Sequence, residues 1–161
     1  MAVDTRIALN IVRRELEECK DFADLYGWEI SSINEKAQLF HVQMISPIDD
    51  EIYIMEIKFD NYKSIPLLIE FIDPKSNKRG IQRAYPKSQG FAGGFFHSHP
   101  CICHPCSRKA YKSQGGPHKD WTLGGWRQNP KVGTLTTIKA ILLALYSRIS
   151  NEKLYGGRMS G

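Results

Sequence analysis

The fold is decided by residues 39–59, which read LFHVQMISPIDDEIYIMEIKF. Apolar and polar side chains alternate along Leu39–Ile45 and again along 52–59, as they do in strands that bury one face. The segment 47–50, which contains one proline and two aspartates, has the composition of a turn. This stretch therefore predicts an antiparallel hairpin with one apolar face.

Further strands are predicted on both sides of this hairpin. Residues 28–33 have a similar pattern and are followed by a polar turn over 34–36. Residues 67–72 form an apolar segment that follows Pro66 and ends at 73–74, an Asp-Pro pair. Because short turns join consecutive antiparallel strands, we expect a four-stranded antiparallel meander.

Amphipathic helices are predicted before and after the sheet. The first, from about residue 4 to 26, has an apolar stripe of Leu9, Val12, Leu16, Cys19, Ala23 and Tyr26. Cys19 is therefore expected in the core. The second helix has the stripe Leu135, Ile138, Leu142, Leu145 and Ile149. Thr134 is its predicted N-cap, and the two glycines at 156–157 are expected past its end. The fold class is α+β, in one domain over residues 1–161.

Composition and charge limit the function classes. The chain has 161 residues and a net charge of +5, but its basic residues are interspersed with acidic ones, so we expect no nucleic-acid partner. No apolar run reaches the ~20 residues of a membrane span, and the N-terminus lacks the pattern of a signal peptide. We expect a soluble cytoplasmic protein with no membrane partner and with its four cysteines reduced.

A long segment between the sheet and the second helix, residues 75–133, is the predicted active-site loop. It has little regular patterning, and its density of aromatic residues and cysteine argues against disorder. Cys101, Cys103 and Cys106 lie within it. Cys101 and Cys103 are too close along the chain for an ordinary structural disulfide, which leaves reactive-thiol chemistry or metal binding. The spacing alone does not choose among the three thiols.

Four segments resemble ubiquitin-conjugating enzymes, in the order that this family has them. Residues 62–66, YKSIP, are similar to the family's Tyr-Pro-x-x-Pro-Pro before its fourth strand, and 135–143, LTTIKAILL, to its Leu-Thr-Ile-x-x-x-Leu-Leu helix. The dipeptide 102–103 resembles the catalytic Ile-Cys, and Trp121 or Trp126 the tryptophan downstream of it. The run 100–121 also resembles bacterial conjugating-enzyme-like proteins of antiphage operons.

This resemblance implies the ubiquitin-conjugating (UBC) fold and a transferase without a cofactor. A ubiquitin-activating-like enzyme would deliver a ubiquitin-like protein to Cys103 as a thioester, and a target protein would receive it through an amine. The resemblance also implies that this transfer serves bacterial antiviral defence. Three features depart from the family. Residues 97–100, HSHP, stand where the family has His-Pro-Asn, the tryptophan is farther from Cys103 than usual, and the family's last two helices are expected to be missing.

The predicted catalytic residues are Cys103, His118, Asp120 and His99. A thioester carrier needs a thiolate, and His97, His99, His104 and Arg108 are candidates to raise the thiolate fraction. In the absence of the family's asparagine, the oxyanion donor is expected among His97, Ser98 and His99. Asp120, beside His118, is the candidate to receive the attacking amine.

Zinc binding is the alternative to thiol chemistry. The candidate ligands are His97, His99, Cys101, Cys103 and Cys106, soft and borderline donors that suit a tetrahedral site. A related alternative is a degenerate JAB-type metallopeptidase, because 97–100 is similar to the His-x-His-Pro motif of that family and Ser107 follows at the right distance. Ala110, however, stands where that family has its third ligand, an aspartate.

Overall fold

The centre of the fold is a four-stranded antiparallel sheet whose strands lie side by side in chain order. The computed structural model describes residues 4–90 and 94–161. The strands are β1 Glu29–Ile30, β2 Leu39–Ile45, β3 Ile52–Lys58 and β4 Leu68–Ile72. In register, Val42 of β2 lies opposite Met55 of β3, which lies opposite Phe71 of β4. The predicted meander is confirmed, although β1 is shorter than the segment 28–33.

The apolar face of the sheet packs on two helices. Alternate side chains of β2, such as Phe40 and Val42, are fully buried. They share one core with Val12 of α1 (Thr5–Glu17) and Leu142 of α3 (Ile138–Ser150). Burial of one apolar face against helices is the usual way in which such a sheet is stabilised. The α+β class predicted from the patterns is therefore confirmed.

The first predicted helix is in fact two helices. α1 ends at Glu17, and α2, Lys20–Tyr26, follows after a tight turn in which the Cys19 amide donates to the Leu16 carbonyl, at 3.0 Å. Cys19 is fully buried, as expected, and its Sγ lies 3.3 Å from the Glu15 carbonyl oxygen. The apolar stripe continues through this turn because three-residue spacing fits a 3₁₀ turn as well as an α-helix.

The predicted boundaries of the second helix were also wrong. The N-cap of α3 is Thr137 rather than Thr134, since the Thr137 side chain accepts a hydrogen bond from the Ala140 amide at 3.2 Å. The helix ends at Ser150. The two glycines at 156–157 lie past the helix end, as expected, but they belong to a strand, β8 (Tyr155–Arg158), which pairs antiparallel with β5 (Pro86–Ser88).

A buried carboxylate joins α1 to the start of α3. Glu15 Oε1 accepts hydrogen bonds from the Tyr62 hydroxyl and from the Ile138 amide, both at 2.8 Å. Its Oε2 lies 2.8 Å from Lys63 Nζ. The first amides of a helix have no partner within the helix, and an anion there is favourable. Glu15 thus fixes α3 and the segment before β4 relative to α1.

Helix length and hydropathy also bear on membrane insertion. The longest described helices, α1 and α3, have 13 residues each. A span needs roughly 20 apolar residues. Within residues 4–90 and 94–161, no helix has the length and apolar character to cross a bilayer.

Candidate active site

The predicted active-site loop, 75–133, folds into short elements rather than one irregular coil. Its residues 91–93 lie outside the described residues. Besides β5, it contains a hairpin of β6 (Phe96–His97) and β7 (Cys101–Ile102). Short 3₁₀ turns follow: Arg108–Ala110, Lys112–Gln114 and Trp126–Gln128. The aromatic residues and cysteines of the loop largely form its interior.

Cys103 directly follows β7 and is held through its backbone. Its amide donates to the Phe95 carbonyl at 2.7 Å, while the preceding Ile102 is fully buried. A tight turn then begins, in which the Cys106 amide donates to Nδ1 of His104 at 3.1 Å. Cys103 is only partly buried. The chain is therefore fixed on both sides of a thiol that solvent can reach.

Arg108 anchors this segment to the sheet. Its guanidinium forms two hydrogen bonds to the Asp60 carboxylate, at 3.0 and 3.1 Å, and Nε donates to the Pro66 carbonyl. The Arg108 amide donates to the carbonyl of Leu67, the residue before β4. Arg108 was a candidate for raising the thiolate fraction of Cys103. That role does not agree with the structure, because its side chain is buried and fully engaged with Asp60 and the backbone.

The side-chain partner of Cys103 is His118. Cys103 Sγ lies 3.0 Å from His118 Nε2. The backbone of His118 is fixed at both ends, since its amide donates to the Ala110 carbonyl and its carbonyl accepts from the Lys112 amide, each at 3.0 Å. This return of the chain requires Gly116, where an added Cβ would lie 2.2 Å from the Lys109 carbonyl oxygen. The structure thus brings together two of the predicted catalytic residues.

The His118 imidazole is oriented by aromatic neighbours. Its ring stacks on Trp121, with centroids 3.5 Å apart and planes 1° from parallel. Tyr111 makes a T-shaped contact with Trp121, with ring centroids 5.6 Å apart, and its hydroxyl donates to the Pro105 carbonyl. Trp121 is one of the two tryptophans, with Trp126, that the resemblance offered downstream of Cys103, but its contact with the imidazole had no signal in the sequence.

The charge states of the pair follow from burial and from nearby ions. Burial lowers the pKa of His118, an effect that Asp120 opposes and Lys131 reinforces. Burial raises the pKa of the Cys103 thiol, and the positive charge of Lys131 opposes this rise. At neutral pH the site therefore holds a thiol beside a neutral imidazole. A neutral imidazole within hydrogen-bonding distance is the form that accepts the thiol proton.

The other three thiols are far less available than Cys103. Cys19 and Cys101 are fully buried and Cys106 nearly so. Burial raises the pKa of Cys19 and Cys101 to about 11 and that of Cys106 to about 12. Since the thiolate is the nucleophile, the structure distinguishes Cys103 by exposure and by its imidazole partner.

The other predicted helper residues differ in burial and in the groups that they contact. His99 is exposed at the tip of the β6–β7 hairpin, where its amide donates to Nδ1 of His97 at 3.0 Å. Burial lowers the pKa of His104 to about 4, so this ring is not a cation that would favour a thiolate. Asp120 is exposed and lines a cavity of about 470 Å³ together with Trp121 and Lys131.

In the described part of the chain, the candidate zinc ligands do not lie together around one point. Cys101 and Cys106 face the interior, whereas His99 is exposed. Within residues 4–90 and 94–161, no group of three or more His, Cys, Asp or Glu side chains is arranged to hold a metal ion. Ser107, the serine of the JAB-like spacing, is fully buried and its hydroxyl has no hydrogen-bond partner in the described part of the chain.

Two residues that shape the surroundings of Cys103 and His118 were not identified from the sequence. Lys131 acts on the charges of both Cys103 and His118, yet it lies 28 positions after Cys103 in an ordinary polar segment. Gly116 has a neighbour in Gly115 and resembles any loop glycine. Neither position has a local pattern from which its role would follow.

No protein-family model matches the chain, and no curated protein matches it. The geometry of Cys103 and His118 is accordingly the basis for assigning a function.

Proposed function

We propose that the chain is a ubiquitin-conjugating-like enzyme. Cys103 accepts a ubiquitin-like protein from an activating enzyme as a thioester and transfers it to an amine of a target protein. The setting is bacterial antiviral defence, as for the proteins that the sequence resembles. The observation that carries the proposal is the 3.0 Å contact between the partly exposed Cys103 Sγ and His118 Nε2.

The first step is transthiolation. His118 takes the proton of the Cys103 thiol, and the thiolate attacks the thioester carbonyl that links the ubiquitin-like protein to the activating enzyme. A bond forms between Cys103 Sγ and the carbonyl carbon. The bond to the activating enzyme's cysteine breaks, and that sulfur leaves as a thiolate which takes the proton from His118. His118 ends the step neutral.

The second step is aminolysis. A neutral amine of the target attacks the Cys103 thioester carbonyl, the new C–N bond forms, and the bond to Cys103 Sγ breaks. The amine gives a proton to His118, and the departing Cys103 thiolate recovers it. In this step Asp120, which is exposed and lines the cavity beside Trp121, binds the amine as it approaches.

The order of elements supports the same proposal. α1 and α2 come first, the four-stranded meander follows, the cysteine segment comes next, and α3 comes after it. This is the order in which the UBC-like motifs occur in the sequence. In the Ile102-Cys103 dipeptide the isoleucine is buried and anchors the chain, while the cysteine stays within reach of solvent, as a nucleophile must.

The test is a thioester assay with the full chain, its companion activating enzyme, the ubiquitin-like protein and ATP, analysed on a gel without reductant. We expect an adduct that a thiol reductant removes. Cys103→Ala should abolish it, Cys103→Ser should give a reductant-resistant oxyester, and His118→Asn should slow its formation about 100-fold. Cys101→Ser is the matched control and should retain the adduct, because that thiol is buried.

Two outcomes would overturn the assignment. An adduct that persists in Cys103→Ala would place the thioester elsewhere. Release of free ubiquitin-like protein from its conjugates, with no adduct at any time, would indicate a thiol hydrolase instead. Metal analysis of the same samples addresses the zinc alternative, since stoichiometric zinc that is lost in Cys103→Ala would make the thiol a ligand.

A further inference from the structure

A cavity beside the catalytic pair carries two unpaired charges. It has a volume of about 470 Å³, and Trp121, whose ring lies on His118, forms part of its wall. Asp120 and Lys131 both line it and both are exposed. Among the described residues, neither forms a salt bridge with the other or with a third residue. The cavity thus presents a free cation and a free anion.

The backbone places Lys131 next to the cysteine turn. The Lys131 amide donates to Oδ1 of Asn129 at 2.9 Å, and the adjacent Val132 is buried. The imidazole of His104, which directly follows Cys103, hydrogen-bonds the Lys131 backbone. Because His104 Nδ1 accepts from the Cys106 amide, it is the other ring nitrogen that donates to Lys131. His104 therefore ties the segment of Lys131 to the segment of Cys103.

The charge of Lys131 acts on both members of the pair. It lowers the pKa of Cys103 and the pKa of His118, so its field favours negative charge at the sulfur and a neutral imidazole. A cation in this position would act in the same way on negative charge that develops on an atom bonded to that sulfur.

We infer that Lys131 stabilises the oxyanion that forms when Cys103 attacks an acyl carbonyl. This inference rests on the proposed function of Cys103 as an acyl carrier. As the S–C bond forms, the carbonyl π pair moves onto oxygen, and the Lys131 ammonium faces that oxygen. The pair returns to re-form the carbonyl when the leaving thiolate departs.

The test separates stabilisation of the oxyanion from stabilisation of the thiolate. Acylation of Cys103 by p-nitrophenyl acetate passes through an oxyanion, whereas alkylation by iodoacetamide does not, and both require the thiolate. The two rates are measured on the full chain, with Cys103→Ser subtracted as background. We expect Lys131→Gln to lower the ratio of acylation to alkylation about tenfold. Lys131→Arg should retain most of the ratio because it keeps the charge.

Lys119→Gln is the matched control. Lys119 is an exposed lysine directly after His118, and its replacement by glutamine removes the same charge as Lys131→Gln does. The ratio in Lys119→Gln should equal that of the wild type. A ratio that stays unchanged in Lys131→Gln would overturn the inference. If both rates fell equally, Lys131 would act on the thiolate alone, and if neither rate fell, it would act on neither state. Neither reaction needs an activating enzyme, so a failed thioester assay and a failed ratio test are separate results.

Discussion

The imidazole of His118 lies flat on the indole of Trp121, with ring centroids 3.5 Å apart and planes 1° from parallel. This stack fixes the ring plane, and Nε2 then lies 3.0 Å from Cys103 Sγ. The indole also excludes water from one face of the imidazole, and burial is the largest cause of the lowered pKa of His118. Trp121 therefore holds the His118 ring in the plane in which it contacts Cys103.

Replacing Trp121 should change the titration of His118. In Trp121→Leu, one face of the imidazole becomes exposed, so we expect the His118 pKa to rise toward its ordinary value of 6.5. The measurement is an NMR titration of the ring protons. Trp121→Phe retains an aromatic surface and should keep the pKa closer to that of the wild type. An unchanged pKa in Trp121→Leu would show that the stack does not determine the protonation of His118.

The reactivity of Cys103 should rise with pH over a wide range. Burial raises its pKa above the ordinary 9.0, so the thiolate fraction keeps growing past pH 9. We expect the rate of iodoacetamide alkylation, corrected with Cys103→Ser, to increase through that pH without a plateau. A plateau well below pH 9 would contradict this expectation, because it would indicate a thiolate already formed at neutral pH.

Gly116→Ala should destabilise the fold around His118. The new Cβ would lie 2.2 Å from the Lys109 carbonyl oxygen and 2.3 Å from the Ala110 carbonyl carbon, so the backbone would have to move. We expect the free energy of unfolding to fall by about 3 kcal/mol. The control is Gly124→Ala, where an added Cβ meets no heavy atom within 4 Å. Equal stability of the two variants in urea unfolding would refute the close approach at Gly116.

Glu15→Gln should weaken the junction of α1 and α3. The buried carboxylate faces Lys63 Nζ at 2.8 Å, and its loss leaves that ammonium without its counter-ion. We expect the free energy of unfolding to fall by about 3 kcal/mol. Glu17→Gln breaks an exposed ion pair between the last residue of α1 and Lys20, the first residue of α2, and should leave stability nearly unchanged. Comparable losses in the two variants, measured by urea unfolding, would contradict a special role for Glu15.

The sheet was predictable from the sequence because each strand has its own alternation. β2 and β3 match the segments predicted within 39–59 to one residue, since a half-buried strand shows its period over a few positions. Helix ends were less predictable. Thr134 and Thr137 are equally good N-caps by residue type, and the choice of Thr137 accompanies the bond from the Ile138 amide to Glu15, 123 positions away.

The site was predictable only in part. Cys103 and His118 were both expected from the sequence, whereas Arg108, one of four candidates to raise the thiolate fraction, instead pairs with Asp60 before β4. The role of Lys131 was not visible at all. Charges act through space, and the folded distance of Lys131 from Cys103 has no counterpart in the order of residues.

By itself, the sequence determined the α+β class, the meander and the segment that carries the thiols, because periodicity and composition are local properties of the chain. Tertiary structure alone decided which thiol is reachable and which group it contacts. Cys101, Cys103 and Cys106 are alike in residue type, but only packing buries two of them and leaves the third partly exposed. The 3.0 Å contact of Cys103 with His118, 15 positions later, depends on Gly116 and Trp121, which act through close approach and stacking in three dimensions.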